Sequence, residues 1–444
     1  MILLRENMTK KIICAIGLML LSMRGFAAKL DMDVDTSFRI DSWSNLNFAS
    51  SSTVNSQTYF VQNANFGVTL KDLRYIPDSD STMDIGVKFS ATGINTQGQL
   101  QQPMDSFESF YPDSSFKPWV REAYLKANDL FDKDITLTAG RQSFILGTGL
   151  TLSDNGIGMT GLDLRFHGLI HSVSADVFAF QPKANDSGSG SISVVGLSAD
   201  CEGEGLWQFY SFAELDDKTT SVISVPVTGV TRSFSGVSYS MRYGQLSFDA
   251  EAAIEKGEAT AASGYQNVDF NGKAAMFSAK WEQYMGFMGE GSARFAVGRG
   301  SGDDSSTANT DEAFFPSFGQ RYSNFGRSGF GQVFGASLYD ALGGDSSTKT
   351  GMPAGLSGIQ VVNMGASAKP FSWIDMDLDL FFFEADTSST TQKKLGSEVD
   401  FKLGKSLGNH FDMSLSYGVF MPGAAYADGT PSATRLSFLT SARF

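Results

Sequence analysis

Apolar and polar residues alternate one by one along much of this chain, and after residue 28 no apolar run approaches the roughly 18 residues of a membrane helix. LDMDVDTSFRI puts Leu30, Met32, Val34, Phe38 and Ile40 on one face and Asp31, Asp33, Asp35 and Arg39 on the other. The same period of two runs through TMDIGVKFSA, LSFDAEAAIE, IDMDLDLFF and LGSEVDFKL. Side chains of a strand point alternately to opposite sides, so these segments read as strands with one apolar face. A β-sandwich or propeller would hide that face in a core, whereas a membrane barrel turns it to lipid.

Strand length and connection length separate these options. The strands read at about 9–12 residues, enough to cross a bilayer at a tilt. Short turns at 128–134, 168–170, 202–205, 243–245, 286–290, 370–373 and 405–409 alternate with longer Gly/Ser/Asp-rich loops, the longest at 301–357. With the loop at 41–56 and the turn at 72–81, nine loops and eight turns join about 18 strands, 16 being the other count considered. The fold expected is an all-β transmembrane antiparallel up-and-down barrel, with both termini on the periplasmic side. Trp207, Trp281 and Trp373 lie beside short turns, as an interfacial aromatic girdle requires. Residues 434–444 read as the closing strand, and the terminal Phe444 as the signal recognised by barrel-assembly machinery.

Residues 1–27 have the form of a signal peptide. Arg5, Lys10 and Lys11 precede the apolar Ile12–Ser22, and Gly25-Phe26-Ala27 supplies small residues for cleavage. The expected domains are this signal and one barrel over 28–444. Cleavage would remove four basic residues and Glu6, taking the formal charge from −14 to −17, which argues against nucleic acid as a partner. It would also remove Cys14, leaving Cys201 alone and no internal disulfide. The expected location is the outer membrane of a Gram-negative bacterium, with its lipids as partners.

If the apolar parity meets lipid, the polar parity lines a lumen. Its candidates are Asp84 and Lys88; Glu122, Tyr124 and Lys126; Asp163 and Arg165; Asp249 and Glu251; Lys280 and Arg294; Asp377 and Asp379; and Glu398, Asp400 and Lys402. Acid outnumbers base, so mild cation preference is the first expectation. Arg121 and Arg141 fall on the apolar parity, where lipid exposure at mid-membrane would cost roughly 2–4 kcal/mol. The 301–357 segment contains FFPSFGQRYSNFGRSGFGQVFG; its aromatics with Arg321 and Arg327 suit a loop packed into the barrel mouth. GIGMTG (156–161) matches a dinucleotide fingerprint in letters, but leads into a strand rather than a helix. DDSSTANTDE (303–312) lacks the mid-loop Gly of a calcium loop. His167, His171 and His410 announce no catalytic cluster. No catalytic residue, metal or cofactor is expected.

Two stretches carry a family resemblance. VREAYLKANDLFDKDITLTAGRQSFILGTG (120–149) resembles the alginate export porin family, in which R-E-A-Y-L, a short turn and then G-R-Q recur. LGSEVDFKLGKSLGNHFDMSLSYGVFMPGAAY (395–426) is similar to that family's near-terminal hairpin. By match, Arg121, Glu122, Tyr124, Gly140, Arg141, Gln142, Glu398, Asp400, Pro422 and Gly423 become family positions. The resemblance implies an outer-membrane barrel passing hydrophilic or oligosaccharide solutes by passive diffusion. The alternatives are a dedicated exporter of an acidic polysaccharide such as alginate, and a barrel enzyme (lipase or protease) or a barrel plugged by its own loops.

Overall fold

The computed structural model describes residues 29–444 except 47–55, 76–80, 97–110, 171, 183–191, 217–226, 287–288, 305, 308, 321, 324–325, 328, 335–352, 354, 372–373 and 389–391. The expected signal peptide, His171, Arg321 and Trp373 lie outside the described residues, as does the side chain of Arg327.

Eighteen long strands follow one another. They are β1 (Lys29–Ser44), β2 (Ser56–Arg74), β3 (Thr82–Thr96), β4 (Trp119–Asn128), β5 (Ile135–Gln142) and β6 (Met159–Ile170). Next come β7 (Val173–Gln181), β8 (Ile192–Glu202), β9 (Leu206–Asp216), β10 (Val227–Tyr243), β11 (Leu246–Ala261) and β12 (Lys273–Tyr284). The last are β13 (Glu290–Gly300), β14 (Ile359–Phe371), β15 (Ile374–Glu384), β16 (Lys394–Leu407), β17 (Phe411–Pro422) and β18 (Ala433–Arg443). Each pairs antiparallel with the next, and β1 pairs with β18 from Asp35–Arg443 to Ser44–Thr434. The sheet therefore closes, with no long edge left to pair with another chain.

Alternation decides which side meets lipid. Leu30, Met32 and Val34 on β1, Leu197 on β8 and Leu378, Leu380 and Phe382 on β15 are all exposed, Met32 to 63% and Leu197 to 57%. Their neighbours of opposite parity are the charged side chains Asp31, Asp33, Asp377 and Asp379 or buried ones such as Ser198 and Phe381, so the apolar residues form an outward belt. In hydrocarbon every backbone N–H and C=O needs a protein partner, and a closed ladder supplies them all. Trp207 and Trp281 stand outward next to short turns, and Trp207 stacks on Tyr239 at 4.3 Å.

Links at the end where β1 begins are short: 171–172, 203–205, 244–245 and 408–410, for example. Links at the other end are long, and 301–358 is the longest. Several bounds differ from expectation: the loop read at 41–56 begins only after Ser44, the turn read at 72–81 only after Arg74, and β1, β2, β10 and β11 run to 16, 19, 17 and 16 residues, longer than the 9–12 expected. In β11 Gly257 continues the ladder where a Cβ would collide with the Arg232 backbone. No helix among the described residues is long and apolar enough to cross a membrane, which says nothing of crossing by strands.

The two arginines of the wrong parity find a structural reason. The β3–β4 register shifts between Lys88–Glu122 and Phe89–Val120, so Arg121 is the extra residue of a bulge. Arg141, at the end of β5, donates from Nε to the carbonyl oxygens of Arg121 and Ile157, both at 3.1 Å, and from Nη2 to Ile157 O at 2.6 Å. Both guanidinium groups thus sit by the 143–158 loop.

Candidate pore constriction

Two clusters of aromatic residues point into the barrel from different walls. On β7, β9 and β10 they are Phe178, Phe180, Phe212 and Phe234; on β15 and β17 they are Phe381, Phe383 and Phe420. Their parity is the polar one, yet all are buried, because loops cover them. Phe144 packs on Phe178 and Phe180 at 4.8 and 4.6 Å, and Phe314 meets Phe234 edge-on at 6.4 Å. At the other wall Phe334 sits 4.9 Å from Phe383 and 4.7 Å from Phe420. Burying such rings supplies the drive for both loops to fold inward.

Buried carboxylates then fix the loop backbones. Thr148 donates to Glu251 Oε2 from its backbone N at 2.6 Å and its hydroxyl at 2.5 Å, while Tyr210 donates to Oε1 at 2.6 Å. Phe315 N donates to Glu255 Oε2 at 2.7 Å, and Arg232 bridges Glu255, Glu214 and the Phe315 carbonyl. On β16 Glu398 accepts from three successive backbone N–H groups: Gln332 and Val333 to Oε1, Phe334 to Oε2, at 2.5, 2.7 and 2.8 Å. Asp400 also accepts from Gln332 N, at 2.9 Å, and Arg435, paired with Asp41, donates to Gln332 O at 3.0 Å.

The loops also join one another. Ser153 N donates to Phe318 O at 2.7 Å, Phe318 N to Thr151 O at 3.1 Å and Gln320 N to Gly149 O at 2.9 Å. Leu146, Leu150 and Leu152 are fully buried in this contact. The result is a strap inside the mouth, made of 143–158 and 311–320 and held on the Glu251–Glu255 wall, with 329–334 docked on the Glu398–Arg435 wall.

The other polar-parity residues lie around this strap or nearer the short turns. Arg165 binds Asp176 and Asp200 at 3.2 and 2.7 Å, and Arg294 binds Asp377 and Asp379, both at 3.0 Å. Lys88 lies 3.6 Å from Glu122, whose Oε1 is 3.8 Å from Arg121. Lys280 pairs with Glu282 at 2.5 Å. Tyr124 lies over Gly86, where any Cβ would overlap its ring, and Asp84 accepts from Asp72 N near a short turn. Lys126, Asp249 and Lys402 have no ion pair among the described residues, and one oxygen of Asp163 is buried without a hydrogen-bond partner. The lumenal arginines are thus held by carboxylates, often two to one, leaving an acid excess on the wall.

Glycines 156 and 158 have φ of +74° and +76° and serve the 143–158 loop, where Gly158 N donates to Asp154 at 3.1 Å, while Gly161, the third glycine of GIGMTG, stands in β6. Burial pushes the Asp154 carboxyl up, and it pushes Asp311 up to about 6. Within 303–312 the acidic groups are met from inside: Thr307 donates to Glu312 at 2.7 Å and Ser306 N to Asp304 at 3.1 Å. No cluster of metal-ligating residues occurs among the described residues. His167 sits 3.1 Å from the Thr136 hydroxyl and His410 2.8 Å from the Arg443 carbonyl oxygen.

With this geometry in place, comparison with solved structures is direct. OccK5 (OpdH) of Pseudomonas aeruginosa matches with a TM-score of 0.56 at 8% identity, over 93% of this chain and 98% of that one. A BenF-like porin from Pseudomonas fluorescens Pf-5 matches with a TM-score of 0.55 at 9% identity, over 93% and 98%. OpdK of P. aeruginosa, solved with vanillate, matches with a TM-score of 0.52 at 11% identity, over 93% and 98%. The barrel has the OccK/OpdK-type porin fold. No protein-family model matches the chain, and no curated protein matches it.

These findings overturn the resemblance to the alginate export porins. The residues behind it serve local barrel geometry. Gly140, at φ +122°, lies against the Ala123 carbonyl, and a Cβ on Gly423, which follows Pro422, would meet the Lys394 carbonyl. Gln142 is buried and donates weakly to Thr138 O at 3.4 Å, while Glu398 and Asp400 hold a loop. What the sequence reading missed is the aromatic seating of the strap. Its signal was large rings such as Phe178 and Phe180 on the parity assigned to water.

Proposed function

We propose that this protein is an outer-membrane diffusion channel for small hydrophilic solutes, selecting by size at the strap and by charge along the wall. The observation that carries it is the strap itself. Segments 143–158, 311–320 and 329–334 are seated inside a closed, polar-lined barrel and narrow it from within. An 18-strand barrel is too wide for side chains alone to fill, so inward loops set the aperture. The acid excess on the wall supports a mild preference for cations, in contrast with the vanillate found in OpdK. On this reading residues 1–27 direct export and are removed, and Phe444 takes part in assembly.

The test is reconstitution of the purified mature protein in a planar bilayer. Discrete conductance steps with a potassium-to-chloride permeability ratio above one are expected. A membrane that never shows a step, with folded barrel demonstrably inserted, would sink the reading.

A further inference from the structure

On the short-turn side of the strap, the inner wall of β12 to β15 hollows into an alcove of about 600 Å³. Its floor is the hydroxyl pair of Ser292 and Ser367, 2.6 Å apart. On one side Lys280 pairs with Glu282, which also takes Arg242 at 3.1 Å. On the other Lys369 pairs with Asp375 at 3.3 Å. Glu290 lines the same space and has no ion pair among the described residues.

We propose that this alcove is a solute-binding station for small zwitterions that carry an additional ammonium group. The proposal rests on the channel reading above and adds to it a place and a ligand class. Five observations carry it. Charges of both signs stand on both sides, so a solute with one charge leaves a lysine or a carboxylate without its partner. A zwitterion replaces both. The pairs are roughly 40% exposed, in the range where an ion pair contributes little and can exchange partners at small cost. The serine floor offers hydroxyls that both donate and accept. Glu290 supplies a further carboxylate, which an extra ammonium matches and an extra carboxylate opposes. The volume falls within the ordinary range of small-molecule sites.

The experiment uses the full mature barrel and two readouts. In planar bilayers, L-lysine and L-glutamate are added on the short-turn side and their binding constants read from current interruptions. In parallel, each is titrated calorimetrically into the detergent-solubilised protein, which does not need the pore to conduct. Lysine is expected to bind roughly fivefold tighter than glutamate, the scale of one exposed charge contact. The double substitution Glu282→Gln with Asp375→Asn should weaken lysine binding by roughly tenfold. Equal binding of the two amino acids, or lysine binding untouched by the double substitution, overturns the station. Lysine binding by calorimetry with no conductance overturns the channel reading instead, and conductance without lysine binding overturns only the station.

Discussion

Glu398 is 1% exposed and gives both oxygens to backbone N–H groups of the strap. A carboxylate accepts such bonds more strongly than a neutral amide, by about 1–3 kcal/mol in all when several are involved. Glu398→Gln should therefore keep the shape of the wall but raise the undocked population of 332–334 by roughly 5- to 100-fold. Amide hydrogen exchange at Gln332–Phe334 reads this directly, and unchanged protection there would refute it. Arg232 presents the converse case: it neutralises two buried glutamates, Glu214 and Glu255. Arg232→Met should strand both charges and destabilise the barrel by about 3–5 kcal/mol, visible as a lower midpoint in urea. Neither role was legible as such. Sequence parity assigned Glu398 to the lumen, but nothing in one sequence shows that a distant loop will cover it. Arg121 was opaque for another reason, since a one-residue bulge flips parity without leaving a pattern.

The strap is the element on which these residues act. Phe334→Ala removes the ring that lies against Phe383 and Phe420, at a cost of about 3–5 kcal/mol to docking. Single-channel conductance should rise and become noisier; a conductance equal to the parent would show that 329–334 does not set the aperture. The strap should also respond to acid. Asp311 is pushed up to about 6 by burial, and its Oδ1 accepts from Ala313 N at 2.9 Å. Its folded value lies above the usual aspartate value of 3.8, so the folded loop holds the proton more tightly than the unfolded one. Stability is then greatest below about 4 and is lost as pH rises towards about 6. Exchange protection of 310–315, corrected for intrinsic rate, should fall between pH 4.5 and pH 7, roughly a tenfold effect per 1.4 kcal/mol; Asp311→Asn should flatten the profile. At this scale the strands were readable because a period of two follows from backbone geometry. TRLSFLTSARF could be recognised as the closing strand by alternation alone, and it pairs with β1. The strap was only half readable, through the aromatics of 301–357.

At the scale of the molecule, the excess of carboxylates over bases is a long-range field. Salt screens such a field, with a Debye length of about 10 Å at 0.1 M and about 3 Å at 1 M. The potassium-to-chloride permeability ratio should accordingly fall towards one between 0.1 and 1 M KCl. A ratio independent of salt would locate selectivity in close contacts at the strap instead. Barrel type was accessible from the sequence because strand count follows from the rhythm of short and long links. Which solved barrels it resembles was not, since at 8–11% identity the likeness is one of fold.

The strap has a mechanical consequence. A wide cylinder of hydrogen-bonded strands resists stretching along its strands but flattens easily into an ellipse under lateral pressure. Here Ser153 and Phe318 join two loops rooted in different hairpins, and Glu251 on β11 and Glu398 on β16 each grip a loop backbone. The wall is therefore braced from within by the loops it holds, and the roundness of the cylinder becomes coupled to the width of its aperture.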